Sequence, residues 1–439
     1  MDYWPIALSV MIGLILSLMG IGVPVAFAFF ATNIVCLYLF MGGPVGVTQM
    51  VSNFGDAVSM YALTPLPLFL VMGSLFFRSG LGDGVLRAID LCIGNLRARL
   101  SYLVVLGGAV FAALSGSSLA NTGMMGASMV PEMLNRGYKP HMVYGPVLGA
   151  GGLAVIIPPS SLAVLIGSLA QIDVGALLLA GLVPGLVLVA FYVTLIRTQT
   201  TLDAEAAPQY TAPSATLRQK FAAILANVVP MGVVIFLVVG TIILGIASAT
   251  ESAALGCFGV IGLLFAYRRF SWEVIWTSLN DAMKVSGMTF LIITASTTFA
   301  QILAFSGASN GMIQWLIAFN WTPYAMLTVM IVIILILGMF MDQLSMMLIT
   351  LPIFMPISHS LGFDQVWFGL ILLLSYEVGF TTPPFGLLLF VMLGVAPKGT
   401  KLGTLAWAAL PYILCTLVLL ALIVMFPSIA LFLPKLMRV

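Results

Sequence analysis

GLAVIIPPSSLAVLIG, residues 152–167, and EVGFTTPPFGLLLFVMLG, residues 377–394, decide the fold. Each lies in a long apolar stretch broken near its middle by a double proline. Proline lacks the backbone donor and clashes with the carbonyl four residues back, so no α-helix runs undisturbed through either pair. The pairs, Pro158-Pro159 and Pro383-Pro384, stand 225 positions apart.

Other landmarks keep nearly the same interval. Pro5 matches Pro230, Gly80 and Gly84 match Gly307 and Gly311, and Pro131 matches Pro356. Accidental alignment of glycines and prolines is the bland explanation. Agreement within two residues over so many landmarks favours an internal duplication. The one extended polar stretch, TQTTLDAEAAPQYTAPSATLRQK at 198–220, separates the halves and reads as a solvated linker. The expected domains are therefore a first repeat, 1–197, the linker, and a second repeat, 221–439.

Composition names the solvent. Hydrophobic residues make up 62% of 439 positions and charged residues 7%. An ordinary soluble domain carries roughly 25% charge. Apolar runs recur along the whole chain at the ~20-residue length that spans a bilayer. A net charge of +2 without a basic cluster gives no sign of nucleic acid. The four cysteines are far apart and form no metal or redox spacing. His141 and His359 fall in short polar connections, against the intramembrane axial ligands a haem protein needs. The N-terminal MDYWPIALSV has no basic n-region and reads as the start of a helix, not a removable signal.

Each half reads alike. Two helices come first, at 5–22 and 24–41, then at 222–246 and 250–266. An amphipathic segment follows. Val47, Met50, Val51, Phe54 and Val58 share one helical face of 46–61; Trp272, Ile275, Trp276, Leu279 and Met283 do the same in 272–286. Both suit the membrane interface. The next helices are 65–80 and 287–306. Then come apolar segments with polar centres: 100–135, interrupted by LSGSSLANTG, and 323–359, interrupted by GMFMDQLS. The broken helices follow at 142–172 and 366–396, and a last helix closes each half at 176–197 and 403–433.

Charge selects the topology. If each interrupted segment is a re-entrant hairpin, each half crosses five times and the second half is inverted. With both termini outside, the cytoplasmic loops hold 14 of the 16 Lys and Arg residues, leaving Lys435 and Arg438 outside. The positive-inside rule prefers this arrangement. The expected fold is an all-α polytopic membrane protein built from two inverted repeats.

Broken helices expose backbone groups that hydrocarbon cannot satisfy, at several kcal/mol each, unless protein or a water-filled cavity covers them. Four breaks, around Ser115–Ser118, Pro158-Pro159, Asp342-Gln343 and Pro383-Pro384, are most simply brought together near the midplane. Free carbonyls there can hold a cation, and helix N-termini can face an anion. Ser115, Ser117, Ser118 and Asn121 offer neutral oxygens at the first hairpin. Asp342 occupies the position matching Ser117, with Gln343 beside it. Ser160 and Ser161 follow the first double proline; Thr381 and Thr382 precede the second. Oxygen donors suit a hard cation. A charged Asp342 at membrane depth costs ~2.5–3.5 kcal/mol on insertion scales and needs a partner, which a sodium ion would supply. Small residues also permit close helix packing, but the paired interruptions favour a site. Glu377 admits three readings, a ligand, a proton carrier or a buried hydrogen-bonding group, and is taken as a group that supports the site from behind; Arg78 and Glu251 are read as interfacial.

The same segments carry a resemblance. GVPVAFA at 22–28, SGSSLANT at 115–122, MVPEMLNRGY at 129–138, IIPPS at 156–160, LLLAGLVPGL at 177–186, TESAALG at 250–256, GMFMD at 338–342, LPIFMPI at 351–357 and TTPPFGLLLF at 381–390 run nearly end to end. In order and spacing they resemble the large membrane subunit of tripartite ATP-independent periplasmic (TRAP) transporters. The resemblance implies a small four-helix membrane partner, a periplasmic solute-binding protein, a sodium gradient as driving force and a place in the bacterial inner membrane. It implies an elevator-type transport domain of hairpins and broken helices, moving against a scaffold of outer helices and amphipathic arms. Carried onto this chain, one sodium site involves Ser115, Ser117, Asn121 and carbonyls near Ile157. The other involves Asp342, Thr381, Thr382 and carbonyls near Gly379. A small organic anion, carboxylate or sulfonate, would sit between the hairpin tips near Ser118, Pro159, Ser160, Gln343 and Pro384. The competing expectation is a self-sufficient organic-anion symporter. An intramembrane enzyme would need paired acids or a nucleophile with a base at depth, and this sequence offers isolated acids. A primary pump is disfavoured because no P-loop appears.

Overall fold

The computed structural model describes residues 4–208, 215–318, 321–384 and 386–437. Of the expectations above, residues 209–214 of the linker, Arg438 and the side chain of Val58 lie outside this description. The described residues form helices and contain no strand.

Among the described residues, seven helical stretches are long and apolar enough to cross a membrane: 61–78, 140–169, 174–202, 217–243, 249–266, 272–305 and 402–425. Shorter apolar helices occupy Trp4–Gly20, Val25–Phe40, Arg99–Ser115, Pro323–Gly338 and Gln365–Thr381. Helices of the two halves keep the sequence interval. Pro140–Ile156 and Gln365–Thr381 are offset, at both ends, by the same interval as the double prolines. Ser161–Leu169 matches Leu387–Val395 to within one position of it.

The first hairpin pairs Arg99–Ser115 with Ser118–Asn135; the second pairs Pro323–Gly338 with Gln343–Ser360. Gly116 ends the first arm in the left-handed conformation, at φ 59°. Glycine adopts it without penalty. Each double proline breaks its helix as the sequence requires. Ile157 and Thr382 take extended backbone conformations, as a following proline imposes. Both Pro-Pro bonds are cis.

Packing relies on small residues, because lipid supplies no hydrophobic drive between helices. The helix Pro140–Ile156 is buried from Met142 onward. A Cβ on Gly145 would meet the Tyr412 ring at 2.6 Å, and one on Gly108 would meet Ala150 Cβ at 2.5 Å. The outer helix 217–243 instead presents Phe221, Leu225, Val229, Val233 and Phe236, all exposed, as a stripe for lipid. Two π-helical turns, Ile224–Val228 and Phe236–Gly240, widen it.

Three expectations change in detail. The closing helix expected at 403–433 ends at Met425, and Ser428–Met437 is a separate helix after Pro427. The second amphipathic segment and the helix after it are one helix, Trp272–Phe305, of 34 residues. In the first half, Pro65 starts a new helix after Pro44–Val58; no proline interrupts 272–305. The linker is also not wholly solvated. The preceding helix runs to Leu202, and Ala206 and Ala207 are buried. The Lys139 N–H donates to Ala206 O (2.9 Å), and Lys139 Nζ pairs with Asp203 at 2.6 Å. The hydrogen bond from Lys139 holds the Asp203 carboxyl below the usual carboxylate range, because it favours the charged form.

Candidate functional site

The first hairpin turn is built by caps. Ser117 is extended, and its hydroxyl accepts from the Ala120 N–H at the start of the second arm. This is the geometry of a helix N-cap. Asp342 does the equivalent in the second hairpin, accepting from the Leu344 and Ser345 N–H groups at 3.0 and 3.2 Å and from the Ser345 hydroxyl.

The first tip is docked into the first broken helix. The Gly116 carbonyl accepts from both the N–H (3.3 Å) and the hydroxyl (2.7 Å) of Ser161, just beyond the double proline. A Cβ on Gly116 would sit 2.6 Å from Pro159 O, so glycine is required for this approach as well as for its φ. Ser160 is buried and caps the short helix Ser161–Leu169, accepting from the Ala163 N–H. One turn past the tip, Asn121 is fully buried. Its Nδ2 donates to Gly108 O (3.1 Å) and Ala150 O (2.7 Å), which ties the two arms to the broken helix. Its Oδ1 has no hydrogen-bond partner in the structure, which leaves an acceptor free beside the tip.

The second hairpin meets its own broken helix by backbone contact. Gly338 and Gly379 face one another; a Cβ on Gly379 would lie 3.0 Å from Gly338 Cα, and one on Gly338 would collide with Gly379. Thr381 Oγ1 donates to Glu377 O (3.0 Å) and Thr382 Oγ1 to Val378 O (2.5 Å), each within its own helix. Their remaining lone pairs stay available. Pro384 is exposed.

Glu377 joins the two sides. Its Oε2 accepts from Ser118 Oγ of the first hairpin (2.9 Å) and from Gln343 Nε2 of the second (2.5 Å). Sequence reasoning reads Glu377 as a supporting group; in the structure it bonds to Ser118 and Gln343, two of the expected solute-binding residues. The available signal was an acid on an otherwise apolar helix, which at membrane depth marks function by default.

Beside the first tip lies a cavity of about 560 Å³ lined by Ser115, Ser117, Ala120, Gly73 and Ser74. At its edge Arg78 and Asp281 form an ion pair at 2.5 Å, both partly exposed. Among the described residues, no cluster of three or more His, Cys, Asp or Glu could hold a metal ion. The candidate sites consist of hydroxyl, amide and carbonyl oxygens with one carboxylate, Asp342, donors that suit a hard cation.

Residues 12–429 fit the family described as tripartite ATP-independent periplasmic transporter, DctM component. The chain belongs to that family. The C4-dicarboxylate TRAP transporter large permease protein DctM of Pseudomonas aeruginosa is 31% identical over 401 residues, covering 91% of this chain and 92% of that protein. The ectoine TRAP transporter large permease protein TeaC of Halomonas elongata is 24% identical, covering 97% and 98%. The sialic acid TRAP transporter permease protein SiaT of Haemophilus influenzae is 26% identical, over 96% of this chain and 67% of its own length. Among solved structures, the YdaH transporter of Alcanivorax borkumensis superposes with TM-score 0.63 at 16% identity, over 88% of this chain and 89% of that one. MtrF of Neisseria gonorrhoeae gives 0.58 at 15%, over 88% and 83%. Those two likenesses concern the fold.

As a TRAP large permease, the chain is a multi-pass integral membrane protein and a secondary transporter subunit for organic acids, not an enzyme. The family is tripartite, which implies a small membrane subunit and a periplasmic binding protein as partners.

Proposed function

We propose that this large permease imports a small organic anion, carboxylate or sulfonate, by sodium symport across the bacterial inner membrane. A periplasmic binding protein delivers the anion and a small four-helix subunit braces the scaffold. The halves are inverted repeats of five crossings and one re-entrant hairpin each, with both termini periplasmic. The hairpins and broken helices form a transport domain that moves as an elevator.

One sodium ion is held at the first tip by Ser115, Ser117, Asn121 and the carbonyl region of Ile157. A second is held by Asp342, Thr381, Thr382 and the carbonyl region of Gly379. The solute lies between the tips, near Ser118, Pro159, Ser160, Gln343 and Pro384. Helix N-termini capped by Ser117 and Ser160 offer donors to an anion, and bound cations offset its charge.

The observation that supports this reading best is the meeting of both hairpin tips at Glu377, with the first tip also bonded across the first helix break. The test is uptake of radiolabelled succinate, sialic acid and isethionate into proteoliposomes holding the chain, its small subunit and the binding protein. An inward sodium gradient should drive accumulation of one of them, and a potassium gradient should not. Accumulation without the binding protein would instead favour a stand-alone symporter.

A further inference from the structure

Glu377 is the only buried carboxylate among the described residues. It stands on the second broken helix, one turn before Thr381. Its Oε1 faces Thr381 Oγ1 at 3.5 Å, and a Cβ on Gly152 of the first broken helix would lie 3.0 Å from it. Its Oε2 takes the bonds from Ser118 and Gln343. One side chain therefore touches both hairpins and both broken helices.

The two donors are not arbitrary positions. Ser118 follows the cap residue Ser117, and Gln343 follows the cap residue Asp342. Any shift of either tip that reorients its cap also moves a donor on Glu377 Oε2. Ser118 Oγ and Gln343 Nε2 both bond to the one buried oxygen Oε2, so the two donors share a single acceptor. The carboxylate thus makes the geometry of one tip depend on the other.

We propose that Glu377 is a positioning residue that couples the two cation sites, so that a cation ordering one hairpin tip prepares the other. It acts through Ser118 and Gln343 and not as a ligand. The proposal rests on the sodium-symport reading above and adds that the ions bind cooperatively. A coupling of this sort is a free energy shared between two sites, and steepness in the titration of either measures it.

The test needs no solute. The full chain, purified with its small subunit, is titrated with sodium chloride against choline chloride at constant ionic strength, and tryptophan fluorescence and melting temperature are followed. The wild type should respond with a Hill coefficient clearly above 1, toward the limit of about 2 for two sites. In Glu377→Gln the amide oxygen can still accept from both donors, so the steepness should survive. In Glu377→Ala it should fall to about 1, with half-saturation raised about 5-fold or more. Should Glu377→Ala not assemble, Ser118→Ala removes one arm of the bridge and should flatten the curve in the same way. A sodium-responsive wild type whose Glu377→Ala or Ser118→Ala form keeps the wild-type steepness would overturn the coupling. A wild type that responds equally to choline would overturn the sodium reading itself.

Discussion

Ser117 and Asp342 hold the same place in the two hairpins: each caps the second arm, Ser117 through its hydroxyl and Asp342 through its carboxylate. The backbone task is shared and the charge is not. A serine suffices for capping, so the carboxylate at 342 brings something a cap does not need. Under the proposed function that is the negative charge facing a sodium ion.

Capping and charge can be separated. Asn caps as well as Asp, so Asp342→Asn should fold and assemble normally. It should nonetheless shift sodium activation of uptake upward by about 10-fold, the equivalent of roughly 1.4 kcal/mol. Asp342→Ala should show that shift plus a loss of about 1 kcal/mol from the missing cap. Sodium-dependent uptake and melting temperature, measured on both variants, check this. An Asp342→Asn protein with unchanged sodium activation would remove Asp342 from the site.

The glycine contact between Gly338 and Gly379 leaves no room for a methyl group, because the obstructing atoms are backbone. Gly379→Ala should cost about 1–3 kcal/mol through overpacking and depress uptake sharply. Gly394→Ala, where nothing lies within 4 Å, should be nearly silent. Thermal unfolding in detergent compares the two.

Arg78 and Asp281 form a partly exposed pair at the edge of the cavity beside the first tip. Such pairs contribute about 0–1 kcal/mol, so Arg78→Gln should barely change the melting temperature. Arg78 is the one cation among the described residues lining that cavity, so the same change should slow uptake of a dianion several-fold. If melting falls and uptake per folded molecule does not, the pair is structural.

The charge-based topology can be read directly. A fluorescent protein inserted between residues 209 and 214 should glow, and alkaline phosphatase at the same place should stay silent, as for a cytoplasmic segment. Active phosphatase would invert the arrangement.

Much of the fold was legible because proline, glycine and charge act locally. Pro158-Pro159 and Pro383-Pro384 break their helices wherever those helices pack, and Ser117 and Asp342 announce a helix start by chemistry alone. The continuity of Trp272–Phe305 was harder to see. The pattern changes from amphipathic to apolar near 287, and only the lack of a proline equivalent to Pro65 marks the helix as unbroken. The docking of Ala206 against Lys139 depends on a partner far along the chain. The place of Glu377 was the least legible, since it depends on Ser118 and Gln343, from different hairpins, converging on one oxygen.

The unbroken helix Trp272–Phe305 ties the protein to the thickness of its bilayer. It has 34 residues. At about 1.5 Å of rise per residue its length is roughly 50 Å, against about 30 Å of hydrocarbon. Such a rod must slant, or lay its first turns among the headgroups. Trp272 and Trp276 are exposed there, and tryptophan is at home at that depth. Bilayer thickness then sets the inclination of the rod, and with it the spacing of the helices it touches, Val25–Phe40 and Pro65–Arg78. Reconstitution in lipids of graded acyl length should find one thickness at which turnover peaks.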